Sequence, residues 1–264
     1  MRACRLIGFQ FDLAWESALE NEARVEAWMA RRQPEAGSLV VLPEMFTTGF
    51  TMNPVAVGQP EGGPSEIRLA GWARQYGVWL VGGLAVRQGN RNTNQAVVWG
   101  PDGEILTRYR KQRPFTPGGE SACYEPGTEP GMFAWGDLRV APFICYDLRF
   151  PELFREATAR WRPEVFVVIA SWPDTRVAHW VTLLQARAIE GQAYVIGVNR
   201  TGTDPRFSYA GRSLVIDPLG AIVADGGSAE GAVEALLDVP ALREYRTRLP
   251  FLDDQRFPQP VSRS

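Results

Sequence analysis

A thiol, a carboxylate and an ammonium, scattered widely along the chain, have the residue types needed for acyl chemistry. The thiol is Cys145, which ends an apolar run in VAPFICYDLRFPE (residues 140–152) and is soon followed by Pro151, a favoured first helical residue. This pattern predicts strand, sharp turn, helix. Such a turn holds a side chain at the carboxyl end of a strand, where open α/β sheets place their ligands, and aims backbone N–H groups beside the sulfur. A buried free cysteine acting as a small hydrophobe is the alternative. The carboxylate is Glu44, which ends LVVLPE behind Pro43; a third apolar strand, VVIASWPD, runs into Trp172 and Asp174. If these strands are parallel neighbours, Glu44 and Cys145 sit side by side at one sheet edge. The ammonium is Lys111 in RYRKQRPF, at a strand end and at the mouth of a Gly-rich loop. Taken singly, Glu44 reads as an exposed turn carboxylate, and Lys111 as a solvated charge among Arg108, Arg110 and Arg113.

The single histidine, His179, narrows the chemistry. A multi-histidine zinc site is excluded, and neither a metal nor a cofactor is expected. His179 lies in RVAHWVTLLQARAIE, where Val177, Val181, Leu184 and Ala188 mark the apolar face of a helix. It reads as a packing or substrate-side residue, which leaves a carboxylate as the expected base for Cys145. A net charge of -2 gives no support for a nucleic-acid or anionic-membrane surface. Three cysteines are too few for a disulfide framework and point to a reducing, cytoplasmic setting. The N-terminal MRACRLIGFQFDLAW is broken by Gln10 and Asp12 before a signal-peptide core could form, and no apolar run approaches about 18 residues, so no membrane association is expected.

The elements that must position these groups alternate. Residues 4–11 read as a strand, and Ser17 with Glu20 as a capping box opening a helix that carries Ala18, Val25, Trp28 and Met29 on one face. A short strand at 39–42, a helix at 67–76 closed by Gly77 and a buried strand at 78–86 follow. Residues 94–110 read as strand, turn at 101–103, strand. After the Gly/Pro-rich loop at 114–131 come the strand into Cys145, the helix from Pro151, a strand at 165–171, the helix of His179 and a strand at 194–200. A second hairpin, LVIDPLGAIVAD, echoes the first, and residues 232–239 form a last strand. Two echoing halves without a linker suggest one unit in which two sheets pack between helices.

LPEMF around Glu44, YRKQRPF around Lys111 and ICYDLRFPE around Cys145 together resemble the three signatures of the nitrilase superfamily of carbon–nitrogen hydrolases. The resemblance runs in order from the first strand to about residue 225, and SWPDTRVAHWVTLLQARAIEGQAYVIGVNRTGTD is similar to the omega-amidase branch. It implies an α/β fold, the four-layer α-β-β-α sandwich, over residues 1–264 as a single domain. It also implies a catalytic set of Glu44, Lys111 and Cys145, with Glu120 in PGGESACYEPG as the second glutamate. Independently of the resemblance, residues 240–264 carry Phe251, Leu252 and Phe257 beyond the last strand, and because such apolar residues need cover they are expected to form a tail packing at a homodimer interface.

The residue types agree with an amidase mechanism. An ammonium near the thiol favours thiolate. Glu44 would take the thiol proton, Lys111 and the Tyr146 N–H would stabilise the oxyanion, and Glu120 would hold substrate or polarise water during hydrolysis of a thioester. The expected substrate is a small amide, above all the omega-amide of a 2-oxoglutaramate or 2-oxosuccinamate. Arg149, Arg176 and Arg187 are candidates for binding its carboxylate, although Arg149 could instead pair with Asp147 or Glu152, and Arg187 with Glu190. Phe115, Trp172 and Tyr209 are candidate pocket walls. Cys4 and Cys123 read as structural or incidental. The alternatives are another small amide, such as a carbamoyl amine or deaminated glutathione, and an idle scaffold of this fold; selective alkylation of Cys145 by iodoacetamide would distinguish enzyme from scaffold.

Overall fold

Side chains that alternate along each strand are divided between two cores, and that division sets the architecture. The structure, a computed structural model, describes residues 4–256. In the first half, β1 (Cys4–Gln10), α1 (Ala18–Arg32) and β2 (Leu39–Val41) lead through the short α2 (Pro54–Val57) and β3 (Gln59–Pro60). Then come α3 (Pro64–Tyr76), β4 (Trp79–Gln88) and the hairpin β5 (Arg91–Trp99) and β6 (Ile105–Arg110). The second half runs β7 (Phe133–Trp135), β8 (Leu138–Ile144), α4 (Pro151–Trp161), β9 (Val165–Ala170), α5 (Val177–Gly191) and β10 (Tyr194–Asn199). A small hairpin, β11 (Thr201–Thr203) and β12 (Ser208–Ala210), precedes the second large one, β13 (Leu214–Ile216) and β14 (Ile222–Asp225). β15 (Gly231–Leu237) and α6 (Val239–Arg248) follow.

Both sheets have the same plan. Along the first the order is β15-β1-β2-β4-β5-β6, and along the second β14-β13-β10-β9-β8-β7. Each has three parallel strands with an antiparallel hairpin on one side and one antiparallel strand on the other, and in the first the short β3 also pairs parallel to β4. In the first sheet Leu6, Leu39, Val41, Val81 and Val98 share a core with Val140, Val167 and Val195 of the second. Their chain neighbours Ile7, Val40, Leu80 and Trp99 point the other way, onto Val25 and Trp28 of α1 and Leu69 and Trp72 of α3. Phe154 of α4 stacks on Phe143 at 3.8 Å, and α5 packs beside it over the outer face of the second sheet. The result is the expected α-β-β-α sandwich. Gly8 sits where the sheets come closest: a Cβ there would lie 2.6 Å from Val198. Each fully buried aliphatic side chain contributes about 1.5–3 kcal/mol, against at most about 1 kcal/mol for exposed pairs such as Arg24–Glu20, so the layers and not the surface charges hold this frame.

Several local expectations change. Ser17 makes no side-chain cap, and Glu20 pairs instead with Arg24. The helix expected from residue 67 begins at Pro64, whose ring suits the first turn. The last strand stops at Leu237, because Asp238 accepts the Ala241 N–H at 2.9 Å and starts α6. The start of the expected tail is therefore helical, and Leu252 is buried by its own chain, while Phe251 is 53% exposed. Phe257 lies outside the described residues. β2 and β8 are not neighbours in one sheet; they belong to opposite sheets. Among the described residues, no helix is long and apolar enough to cross a membrane.

Candidate active site

Cys145 lies just past the end of β8 and has a φ of 47°, a backbone conformation uncommon for a side chain with a Cβ. Hydrogen bonds from both sheets hold it there. Asp147 accepts the Ile144 N–H at 3.0 Å and the Arg113 N–H at 2.9 Å, and takes the Tyr109 hydroxyl from β6 at 2.8 Å. Burial pushes the Asp147 carboxyl up to about 7. Arg187 donates to the Leu148 carbonyl at 3.0 and 3.3 Å and to Glu190 at 2.6 Å. It therefore braces the turn from behind, which removes it as a candidate for substrate carboxylate.

Glu44 and Lys111 come from the first sheet and Glu120 from the loop after it. Lys111 Nζ donates to Glu44 Oε1 at 2.7 Å and to Glu120 Oε2 at 2.8 Å. Asn94 bridges the same two carboxylates, at 2.7 and 2.8 Å, and Glu120 also accepts the Phe115 N–H at 2.6 Å. Glu44 Oε2 accepts the N–H of Ser171, which follows β9, at 2.8 Å; this bond spans the sandwich. The turn carrying Glu44 presses on β4 at Gly83, where a Cβ would be 2.6 Å from the Glu44 Cα. All three charged groups are buried. Burial disfavours the Lys111 ammonium, but Glu120 and Glu44 outweigh it and hold the lysine well above its usual value. Lys111→Met would leave two buried carboxylates without their shared cation. We expect it to lower the unfolding free energy by about 3–5 kcal/mol in denaturant titrations; a loss below about 1 kcal/mol would mean that solvent reaches the carboxylates.

The same charges act on the thiol. Burial pushes Cys145 well above the ordinary cysteine value, Glu44 and Glu120 push the same way, and Lys111 and the Ser171 N–H only partly offset them. Lys111 therefore favours the thiolate, as expected, but burial and the two carboxylates outweigh it. A neutral thiol beside a carboxylate suits proton transfer during attack.

Cys145 opens into a narrow cleft walled by Phe50, Phe115, Tyr146, Trp172, Pro173 and Phe207. Arg149 and Arg176 also line it, one over the face of Trp172 at 4.7 Å and the other over Phe115 at 5.6 Å. Among the described residues neither pairs with a carboxylate; Asp147 is engaged by the turn, and Glu152 pairs with Arg113. Tyr209 is not a cleft wall: it packs on Arg200 and its hydroxyl binds Asp204 at 2.5 Å. His179 is exposed, with Nδ1 at 3.3 Å from Arg149 Nη2. Sequence reasoning missed Asn94, Asp147, Ser171, Asn199, Phe50 and Phe207. A polar side chain inside an apolar strand, as in NTNQAVVW, was the one available signal for Asn94.

The carbon-nitrogen hydrolase family model matches residues 11–247. The chain is 36% identical over 249 residues to the 2-oxoglutaramate amidase of Bacillus subtilis (strain 168), covering 94% of this chain and 95% of that protein. It is 37% identical over 264 residues to the omega-amidase YafV of Yersinia enterocolitica, covering 97% and 99%. It also resembles the crystal structure of a CN-hydrolase superfamily protein from Xanthomonas campestris with an arsenic adduct in its active site, with a TM-score of 0.92, 32% identity and coverage of 98% and 99%. Sandwich, sequence and relatives point the same way, and the chain belongs to the carbon-nitrogen hydrolase family.

Proposed function

We propose that this protein hydrolyses the omega-amide of short dicarboxylate monoamides, of the 2-oxoglutaramate and 2-oxosuccinamate type, to the acid and ammonia. The observation that carries this reading is the pair of guanidinium groups, Arg149 and Arg176, facing the cleft of Cys145 without a carboxylate of their own. Guanidinium matches carboxylate in charge and in paired donors. The identity to the two named amidases supports the same substrate class.

In this mechanism Glu44 takes the proton as Cys145 Sγ bonds to the amide carbon. Lys111 Nζ and the Tyr146 N–H bear the charge that develops on oxygen; such donors are each worth roughly 3–4 kcal/mol. The tetrahedral species collapses with cleavage of the C–N bond, and Glu44 returns its proton to the departing ammonia. Water, activated by Glu44 with Glu120 polarising it, then adds to the thioester and releases the acid and the thiol. Glu120, by its bonds to Lys111 and the Phe115 N–H, also fixes the lysine and the cleft wall.

The test is ammonia release from 2-oxoglutaramate and from the neutral pentanamide. Arg149→Ala or Arg176→Ala is expected to raise KM for the keto acid about 10- to 100-fold and to spare pentanamide, because a lost charged hydrogen bond is worth about 1.5–3 kcal/mol. Equal effects on both amides would reject the carboxylate role.

A further inference from the structure

Arg149 leaves the turn that bears Cys145 and crosses to the segment after β9. Its guanidinium lies on the face of Trp172, 4.7 Å from the ring centroid, and its Nη2 is 3.3 Å from Nδ1 of His179, near the start of α5. A guanidinium has donors only, so in this contact Nδ1 is placed to accept. The platform under Arg149 is itself fixed. Asn199 accepts the Trp172 N–H at 2.7 Å and donates to its carbonyl at 3.0 Å, and the indole N–H donates to the Arg176 carbonyl at 2.8 Å. Arg176 has a weaker hold, a 3.5 Å contact to the Thr175 hydroxyl and a ring 5.6 Å away.

An arginine held on two sides loses less freedom when it closes on a ligand, and this preorganisation strengthens binding without adding a contact. We propose that His179 is a positioning residue which, with Trp172, pre-sets Arg149 for the carboxylate at the end of the substrate remote from the amide. The one histidine of the chain then serves recognition and not proton transfer. His179 is exposed and binds no group of the Glu44, Lys111 and Glu120 cluster, which agrees with a role in recognition alone. This inference rests on the carboxylate role proposed above for Arg149, and the experiment separates the two.

His179→Ala, assayed with 2-oxoglutaramate, is expected to raise KM about three- to tenfold, the range a net hydrogen bond commands, and to leave kcat within about twofold. Alkylation of Cys145 by iodoacetamide, which presents no carboxylate, should keep its rate. His179→Asn, whose amide oxygen can accept in place of Nδ1, should recover most of the affinity. In the Arg149→Ala background the histidine change should add nothing. If Arg149→Ala raises KM and His179→Ala does not, the positioning role is overturned and the carboxylate reading stands. If neither raises KM, both fall. If His179→Ala lowers kcat and the alkylation rate together, the residue supports the Cys145 turn and the proposal is likewise overturned.

Discussion

Cys145→Ala is expected to retain the fold and to lose ammonia release, by about 10⁴-fold or more, the scale seen when a nucleophile is removed from a working set. The fold should survive for a structural reason. The turn at residue 145 is held by Asp147 through the Ile144 N–H, the Arg113 N–H and the Tyr109 hydroxyl, and none of these bonds involves the sulfur. Deleting one sulfur atom from a buried site costs about 1 kcal/mol, within the ordinary range for a single substitution. Circular dichroism and the unfolding midpoint should match the parent closely, while ammonia release from any amide of the series disappears. Turnover above about 1% of the parent would remove Cys145 from the reaction.

The frame was legible because strand alternation and paired hairpins follow from local covalent geometry. The two runs 94–110 and 214–225 became β5–β6 and β13–β14, each closing one side of its own sheet. Glu44, Lys111 and Cys145 were legible as a set through the joint resemblance of LPEMF, YRKQRPF and ICYDLRFPE to the nitrilase signatures, whereas Glu44 and Lys111 taken singly read as surface charges. Their manner of meeting was not. The reading placed Glu44 and Cys145 along one sheet edge, and the structure brings them together across the gap between two sheets, with Ser171 N–H and Tyr109 hydroxyl as the cross-links. Sheet membership depends on which strands pair at long range, which no local pattern encodes. Asn94 and Asp147 were missed for a related reason. A buried polar side chain is acceptable only with partners, and here those partners come from other elements: Glu44 and Glu120 for Asn94, the Tyr109 hydroxyl and Arg113 N–H for Asp147. Among the arginines, Arg149 and Arg176 reach the cleft, whereas Arg187 turns to the Leu148 carbonyl, and its spacing to Glu190 was the only hint.

Glu44→Gln is expected to block acylation while leaving the thiol reactive, and that pairing of results separates a base from a prop. Glu44 accepts from Lys111 and Asn94 on one oxygen and from the Ser171 N–H on the other. A glutamine keeps the shape, but its NH₂ must face a donor whichever way it turns, a mismatch worth about 1–3 kcal/mol of stability. Chemically the change has two opposite effects. It removes a negative charge that helps push the Cys145 thiol up, and Lys111, which pulls the thiol down, remains. The thiolate is therefore easier to form than in the parent, and iodoacetamide should alkylate Cys145 at least as fast. Amide hydrolysis would lose the group proposed to accept the thiol proton and return it to ammonia, an expected loss of about 10²–10⁴-fold for general acid–base catalysis alone. Mass spectrometry after incubation with 2-oxoglutaramate should show no acyl adduct on the cysteine. An accumulating adduct would place Glu44 after acylation, in water activation only. Alkylation also releases the thiol proton, which solvent base takes at alkaline pH, so alkylation and hydrolysis falling in parallel there would reduce Glu44 to a structural partner of Lys111 and Asn94.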